Sequence, residues 1–170
     1  DGSVTASTPL TGTVHSLEYN AKKTRAYLIT QVIDNREGRV VRSTALSIID
    51  TATGRTISTN PVTLDGDLVS LTFTPDGKRA LLQTTGQPGR NIPLLSIINT
   101  ATNTALGQGF MALTSTLQAD PIITNTYATI LTTFTPPTGQ KPTTTLSTIR
   151  LSDGSVTAST PLTGTVHSLE

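Results

Sequence analysis

The chain contains no cysteine and no tryptophan among 170 residues, and only three phenylalanines and three tyrosines. Without cysteine there is neither a disulfide framework nor a thiolate metal site. Charged residues are scarce, at 14%, and they sum to a formal charge of +1. No basic face carries interleaved aromatics, so nucleic acid is not an expected partner. No apolar run approaches the ~18 residues of a membrane span, and no segment reads as a signal peptide. No Asn-X-Ser/Thr acceptor occurs, so N-glycosylation is not expected. The first residue is Asp rather than Met, so the chain reads as processed, trimmed or excerpted.

What is present favours sheet. Threonine makes up about a fifth of the chain, and Val, Ile and Leu supply the apolar positions. Side chains branched at Cβ are stiff and fit a pleated surface. Thirteen Gly and ten Pro are spread as punctuation between short runs rather than gathered in a linker. The expectation is an all-β protein with many turns and enough chain to bury a sizeable core. A Thr-rich, cysteine-free, weakly charged β-protein suits the cell surface or the extracellular space.

The most informative feature is a repeat. Residues Asp1 to Glu18 return letter for letter as Asp153 to Glu170. The chain is one period of 152 residues plus an overlap of 18. It reads either as a window on a longer array of identical units or as a unit whose ends can substitute for one another. Recent duplication, or engineering from one half of a natural ring, would produce it.

Inside the period lies a second, diverged repeat. Leu46-Ser47-Ile48-Ile49-Asp50-Thr51-Ala52-Thr53-Gly54 matches Leu95-Ser96-Ile97-Ile98-Asn99-Thr100-Ala101-Thr102-Asn103, and more loosely Leu146-Ser147-Thr148-Ile149-Arg150-Leu151-Ser152-Asp153-Gly154. A second landmark links Leu10-Thr11-Gly12-Thr13-Val14, Leu64-Asp65-Gly66-Asp67-Leu68, Leu113-Thr114-Ser115-Thr116-Leu117 and Leu162-Thr163-Gly164-Thr165-Val166. Steps of about 50 residues in an all-β chain point to propeller blades or sandwich arrays. Each unit reads as four strands. In the first they are Val14–Tyr19, Arg25–Ile33, Val41–Asp50 and Arg55–Val62. The alternation of Leu17 and Tyr19, copied by Leu71 and Phe73, marks half-buried inner strands. Pro75-Asp76-Gly77 and Thr53-Gly54 read as hairpin turns. The stretch Asp34 to Arg39 reads as a variable loop.

These residues carry a resemblance. Phe73-Thr74-Pro75-Asp76-Gly77-Lys78-Arg79-Ala80-Leu81-Leu82, followed by Ile97-Ile98-Asn99-Thr100-Ala101-Thr102-Asn103-Thr104, resembles a blade of the YVTN family of WD40-like β-propeller repeats. The first unit keeps the second half of that pattern in Ile48 to Gly54 but has Asn20-Ala21-Lys22-Lys23-Thr24 in place of the Pro-Asp-Gly turn. The third unit is degenerate in both halves. The resemblance implies four-stranded antiparallel blades, three per chain, completing a six-bladed ring or a longer assembly with another copy. It implies varied binding roles and no particular activity.

On that reading residues 1–10 are the outer strand of a preceding blade. Blades one to three span 11–62, 63–112 and 113–162, and 163–170 is the inner strand of a following blade, duplicating 11–18. Three blades do not close a ring, since closed propellers begin at four. The duplicated ends would let one chain complete another's blade, so the expected partners are other copies of the chain, a dimer first. The assembly segments are Val4, Leu10, Val14 and Leu17 with their copies Val156, Leu162, Val166 and Leu169.

No catalytic constellation stands out. His15 and His167 are one repeat position seen twice, and His15-Ser16 has no orienting carboxylate or oxyanion hole in view. His15, Glu18 and Asp67 are candidates to line a central channel. Asp65-Gly66-Asp67 falls short of the oxygen count of a calcium loop and reads as a turn. Arg36, Glu37, Arg39 and Arg42 form the densest charge cluster, either a solvated hairpin tip or a recognition loop for a protein or glycan ligand. No cofactor is implied. The leading expectation is a noncatalytic, self-assembling propeller scaffold. Its rivals are a dehydrogenase- or lactonase-like propeller enzyme with a site at the channel mouth, and a linear β-repeat array of a surface fibre.

Overall fold

The computed structural model describes residues 7, 9–20, 22–36, 38–86, 92–113, 115–136 and 140–163. Among them every regular element is a β-strand, and the strands form three antiparallel sheets with a common plan. In the first sheet β1 (Thr13–Tyr19), β2 (Arg25–Arg36) and β3 (Arg39–Asp50) lie side by side. Its fourth position is shared by β4 (Arg55–Thr56) and β5 (Val62–Asp65), both paired with β3. The second sheet repeats this with β6 (Leu68–Phe73), β7 (Arg79–Thr84) and β8 (Leu94–Asn99), then β9 (Thr104–Ala105) and β10 (Met111–Ala112) on β8. In the third sheet the split falls on the first position: β11 (Thr116–Leu117) and β12 (Ile122–Ile123) share one edge of β13 (Tyr127–Phe134). Then come β14 (Thr143–Arg150) and β15 (Val156–Leu162).

Turn chemistry explains where strands end. At Pro75-Asp76-Gly77 the Asp76 carboxylate accepts from Thr74 Oγ1 at 2.7 Å and from the Lys78 N–H at 3.0 Å, while Gly77 holds a φ of +67°. The first sheet makes the same turn with other residues. Asn20 Oδ1 accepts from the Thr24 and Arg25 N–H groups at 2.8 and 3.1 Å, and Lys23 takes the positive φ, at +53°. An asparagine side chain thus replaces the aspartate-centred network, which is why the turn survives without the Pro-Asp-Gly signature.

Two expectations fail. The fourth strand of the first unit is not continuous over Arg55–Val62. Five residues, Ile57 to Pro61, stand opposite only two of β3, between the pairs Ile49–Thr56 and Leu46–Val62. The second sheet carries the same five-against-two excursion at Leu106 to Phe110, between Ile98–Ala105 and Leu95–Met111. It is anchored alike in both, by Ile57 N–H to the Ile48 carbonyl at 2.8 Å and Leu106 N–H to the Ile97 carbonyl at 2.7 Å. Asp34, Asn35, Arg36 and Arg39 lie in strands rather than in a loop. Strand pairing runs out to Arg36–Arg39, because the backbone ladder continues wherever two strands stay in register, whatever the side-chain charge.

The sheets stack face to face, and the two faces of each differ. Tyr27, Ile29, Leu46, Ile48, Val62 and Leu64 of the first sheet pack on Ala80, Leu82 and Ile98 of the second. Leu71 and Phe73 join from β6, and the Tyr27 and Phe73 rings lie 4.3 Å apart between centroids, tilted by 43°. The opposite face of the second sheet gives Leu81, Leu95 and Ile97 to a second cluster with Ala128, Ile130, Ile149 and Leu151 of the third. Alternation along each strand generates both faces: Leu81 points one way, Ala80 and Leu82 the other.

The link between sheets depends on one glycine. Gly66, between β5 and β6, has a φ of +97°, and a Cβ there would run into the backbone of Gly86. Gly12, just before β1, has a φ of +95°, and its Cβ would meet the Gln31 carbonyl. Gly38, at the β2–β3 tip, also has a positive φ, but nothing lies within 4 Å of a Cβ added there. Gly38→Ala is therefore expected to cost about 1–2 kcal/mol, the left-handed penalty alone. Gly66→Ala adds a backbone clash and is expected to cost clearly more, read from paired urea denaturation curves.

Candidate functional site

The charged tip and the proposed channel residues, separate in the sequence, partly converge. Asp67 follows the Gly66 link, and its Oδ1 accepts from Gln31 Nε2 on β2 and lies 3.7 Å from Arg42 Nη1 on β3. The Gly66 N–H donates to the Arg42 carbonyl at 2.7 Å, and the Asp67 N–H to Thr85 Oγ1 at 3.0 Å. Arg42 and Asp67 are both about half exposed, so their ion pair contributes about 0–1 kcal/mol. Its effect is to fix the loop that links two sheets.

The other members stay apart. Arg39 begins β3, exposed, opposite Arg36 at the end of β2. Glu37 lies outside the described residues. Beside this tip Ile33 and Val40 are exposed, apolar and off the core. His15 is the extra residue of a bulge in β1, between the pairs Val14–Thr30 and Ser16–Ile29, and it is exposed. Val69 is the extra residue of the matching bulge in β6. Glu18 is exposed opposite Tyr27. His15 and Glu18 thus share β1 without meeting Asp67. Among the described residues no group of three or more His, Cys, Asp or Glu is placed to hold a metal ion, and no helix is long and apolar enough to cross a membrane.

Of the assembly residues, Val4, Val166 and Leu169 lie outside the described residues. Leu10 precedes β1 and is exposed, Val14 and Leu17 are on β1, and Val156 and Leu162 begin and end β15. Leu17 and Tyr19 are not half-buried as their alternation suggests; they are 48% and 56% exposed. Their counterparts Leu71 and Phe73 are covered because they face the first sheet. Leu17 pairs with Leu28 and Tyr19 with Ala26, on the face of the first sheet that looks away from the second. That face corresponds position for position to the face the second sheet turns toward the first: Ala26 to Ala80, Leu28 to Leu82, Ile49 to Ile98.

The third sheet shows the complement. Thr129, Leu131, Leu146 and Thr148 lie on its far face, with Ile122 and Tyr127 at its exposed rim. In the first two sheets the corresponding face receives the next sheet. Sequence reasoning missed this directionality, although the apolar patterns of both ends were legible.

The polar side chains with shifted ionisation serve the fold. Burial pushes the Tyr27 hydroxyl up. Three turn aspartates are held below the usual carboxyl range: Asp50 by the Thr53 N–H, Asp76 by the Thr74 hydroxyl, and Asp153 by the Ser155 N–H.

No protein-family profile and no curated protein sequence matches the chain. Among solved structures, the acylaminoacyl peptidase of Pyrococcus horikoshii, a propeller-containing enzyme, aligns with 88% of this chain at a TM-score of 0.50 and 10% identity. The chain spans 25% of that protein's length. At that identity the likeness concerns the fold alone.

A carboxyl whose folded pKa lies below its unfolded value stabilises the fold above the unfolded pKa and loses that contribution as pH falls through the folded one. The urea midpoint is therefore expected to drop between about pH 5 and pH 2 as the three turn aspartates protonate. Asp76→Asn keeps an acceptor oxygen but does not titrate, so it should make that drop shallower. An unchanged slope would show that the Asp76 turn does not contribute to it.

Proposed function

We propose that this chain is a noncatalytic β-propeller repeat unit of the YVTN, WD40-like kind. Its function is to assemble with further copies of itself into a rigid binding scaffold. The observation that supports this is the pair of unlike end faces. The first sheet ends in the face that, one unit later, accepts a preceding blade. The third ends in the face that accepts a following one. A second copy satisfies both, and two chains of three blades give a ring of six. Each junction would follow the arrangement found twice within one chain and would cover Leu17 and Tyr19, the exposed apolar side chains of the first sheet's end face.

The duplicated segment makes the junction a linked one. Its first half, as Val156–Leu162, is the outermost strand of the third sheet, and its second half, as residues 13–18, supplies all but the last residue of the first strand of the first sheet. Pro161 in β15 fits an edge position, where its missing N–H costs no ladder bond. Strand, glycine turn and strand therefore form one connector from the outer edge of one blade to the inner edge of the next. In a two-chain ring each junction offers two identical connectors for one place. Whichever connector is used, one of its two strands belongs to the neighbouring chain's blade.

Light scattering on the intact chain and on a chain lacking residues 1–18 tests this. Both are expected as discrete dimers, because the partner's C-terminal copy replaces the lost β1. Removing 153–170 as well should leave monomer or aggregate. A stable monomer of the intact chain over a tenfold concentration range would sink the proposal.

A further inference from the structure

Corresponding sockets lie between the first and second sheets and between the second and third. They differ at the turn residue and along the excursion, where Phe110 and Met111 stand in the places of Pro61 and Val62. In the first, Asn103 closes the β8–β9 turn, is 2% exposed, and donates from Nδ2 to the Leu46 carbonyl of the neighbouring sheet at 3.2 Å. Its φ of +53° carries the side chain across the sheet gap. In the second, the corresponding turn residue is Gly154, with a φ of +76°. A Cβ built there would meet only Ile97 Cδ1, at 3.6 Å, an ordinary contact. Ile97 and Leu95 correspond to Ile48 and Leu46. Where the asparagine side chain would sit is a cavity of about 430 Å³, lined by Leu95, Ile97, Phe110, Met111 and Gly154 among others. It opens past Phe110, 53% exposed, and a further cleft of about 560 Å³ continues from Phe110 and Met111 to Val156 on β15.

We propose that this socket is a binding site for the side-chain carboxamide of an asparagine on an extended partner peptide. The filled socket shows what its counterpart accepts: a short planar amide that places one N–H on a main-chain carbonyl, here that of Leu95, between aliphatic walls. Asn103 Oδ1 is buried with no hydrogen-bond partner, so the donor end and the shape provide recognition. Aspartate is disfavoured, since an ionised carboxylate has no proton to give the Leu95 carbonyl and would bring its charge against that carbonyl and the neighbouring Asp153. Phe110 in the socket wall, and Val156 farther along the adjoining cleft, supply apolar surface for the residues flanking the asparagine.

The test is an amide-shift titration of the intact ¹⁵N-labelled chain with the blocked peptide Ala-Asn-Ala, and with Ala-Asp-Ala and Ala-Leu-Ala. Saturable shifts confined to Leu95, Gly109, Phe110, Met111 and Gly154 are expected for the asparagine peptide, with roughly tenfold or weaker binding of the other two. Gly154→Asn supplies the carboxamide from within, so it should abolish binding and raise the melting temperature above that of Gly154→Ala. Gly154→Ala leaves the socket open and should still bind. The proposal fails if no shift saturates, if the leucine or aspartate peptide binds as well, or if Gly154→Asn binds undiminished. Failure of Gly154→Asn to fold would also overturn it, because the carboxamide would then not fit.

Discussion

Each sheet in this chain has two unlike faces, and every other feature of the architecture follows from keeping them in order. Tyr27, Leu46 and Ile48 look forward, while Ala80, Leu82 and Ile98 look back, and the same pairing of positions recurs one sheet later. Because the alternation of a strand fixes both faces at once, a shift of one residue would exchange them and destroy both interfaces together. The glycine links protect that order. Gly12 and Gly66 hold backbone conformations and clearances that admit no side chain. The inner-strand bulges at His15 and Val69 recur at matching positions, so each unit enters its sheet in the same way.

Much of this was legible in the letters. The three units, their hairpin turns and the all-β class follow from repeats and turn residues. The faces were half legible: Leu17 and Tyr19 announce an apolar strand, but only their counterparts Leu71 and Phe73 show which neighbour covers it. The excursions at Ile57 to Pro61 and Leu106 to Phe110 were not legible, since a strand that leaves its partner for five residues and rejoins it looks like a weakly alternating strand. The long β2–β3 ladder was missed for the opposite reason. Polar and charged residues there suggested a loop, while cross-strand hydrogen bonding is indifferent to them.

The site was less legible than the fold. Arg42 and Asp67 belonged to separate expectations, a binding tip and a channel, and the structure joins them in the link between two sheets. Asn103 and Gly154 occupy one repeat position, and nothing in the letters marks their difference. Its meaning appears only when the neighbouring sheet is in place, because one side chain crosses to Leu46 and the other leaves space against Ile97.

The directional stack, continued from one chain into the next, is the central claim. Phe73 meets Tyr27 across the first interface. In the proposed junction between copies the matching residues would be Tyr19 of one and Thr129 of the other. The chain has no cysteine of its own, so Tyr19→Cys with Thr129→Cys gives a cross-link without background. Oxidation should yield a disulfide between chains, and Ile33→Cys with Thr129→Cys should not. Equal cross-linking by both pairs, or none by the first, would contradict the account.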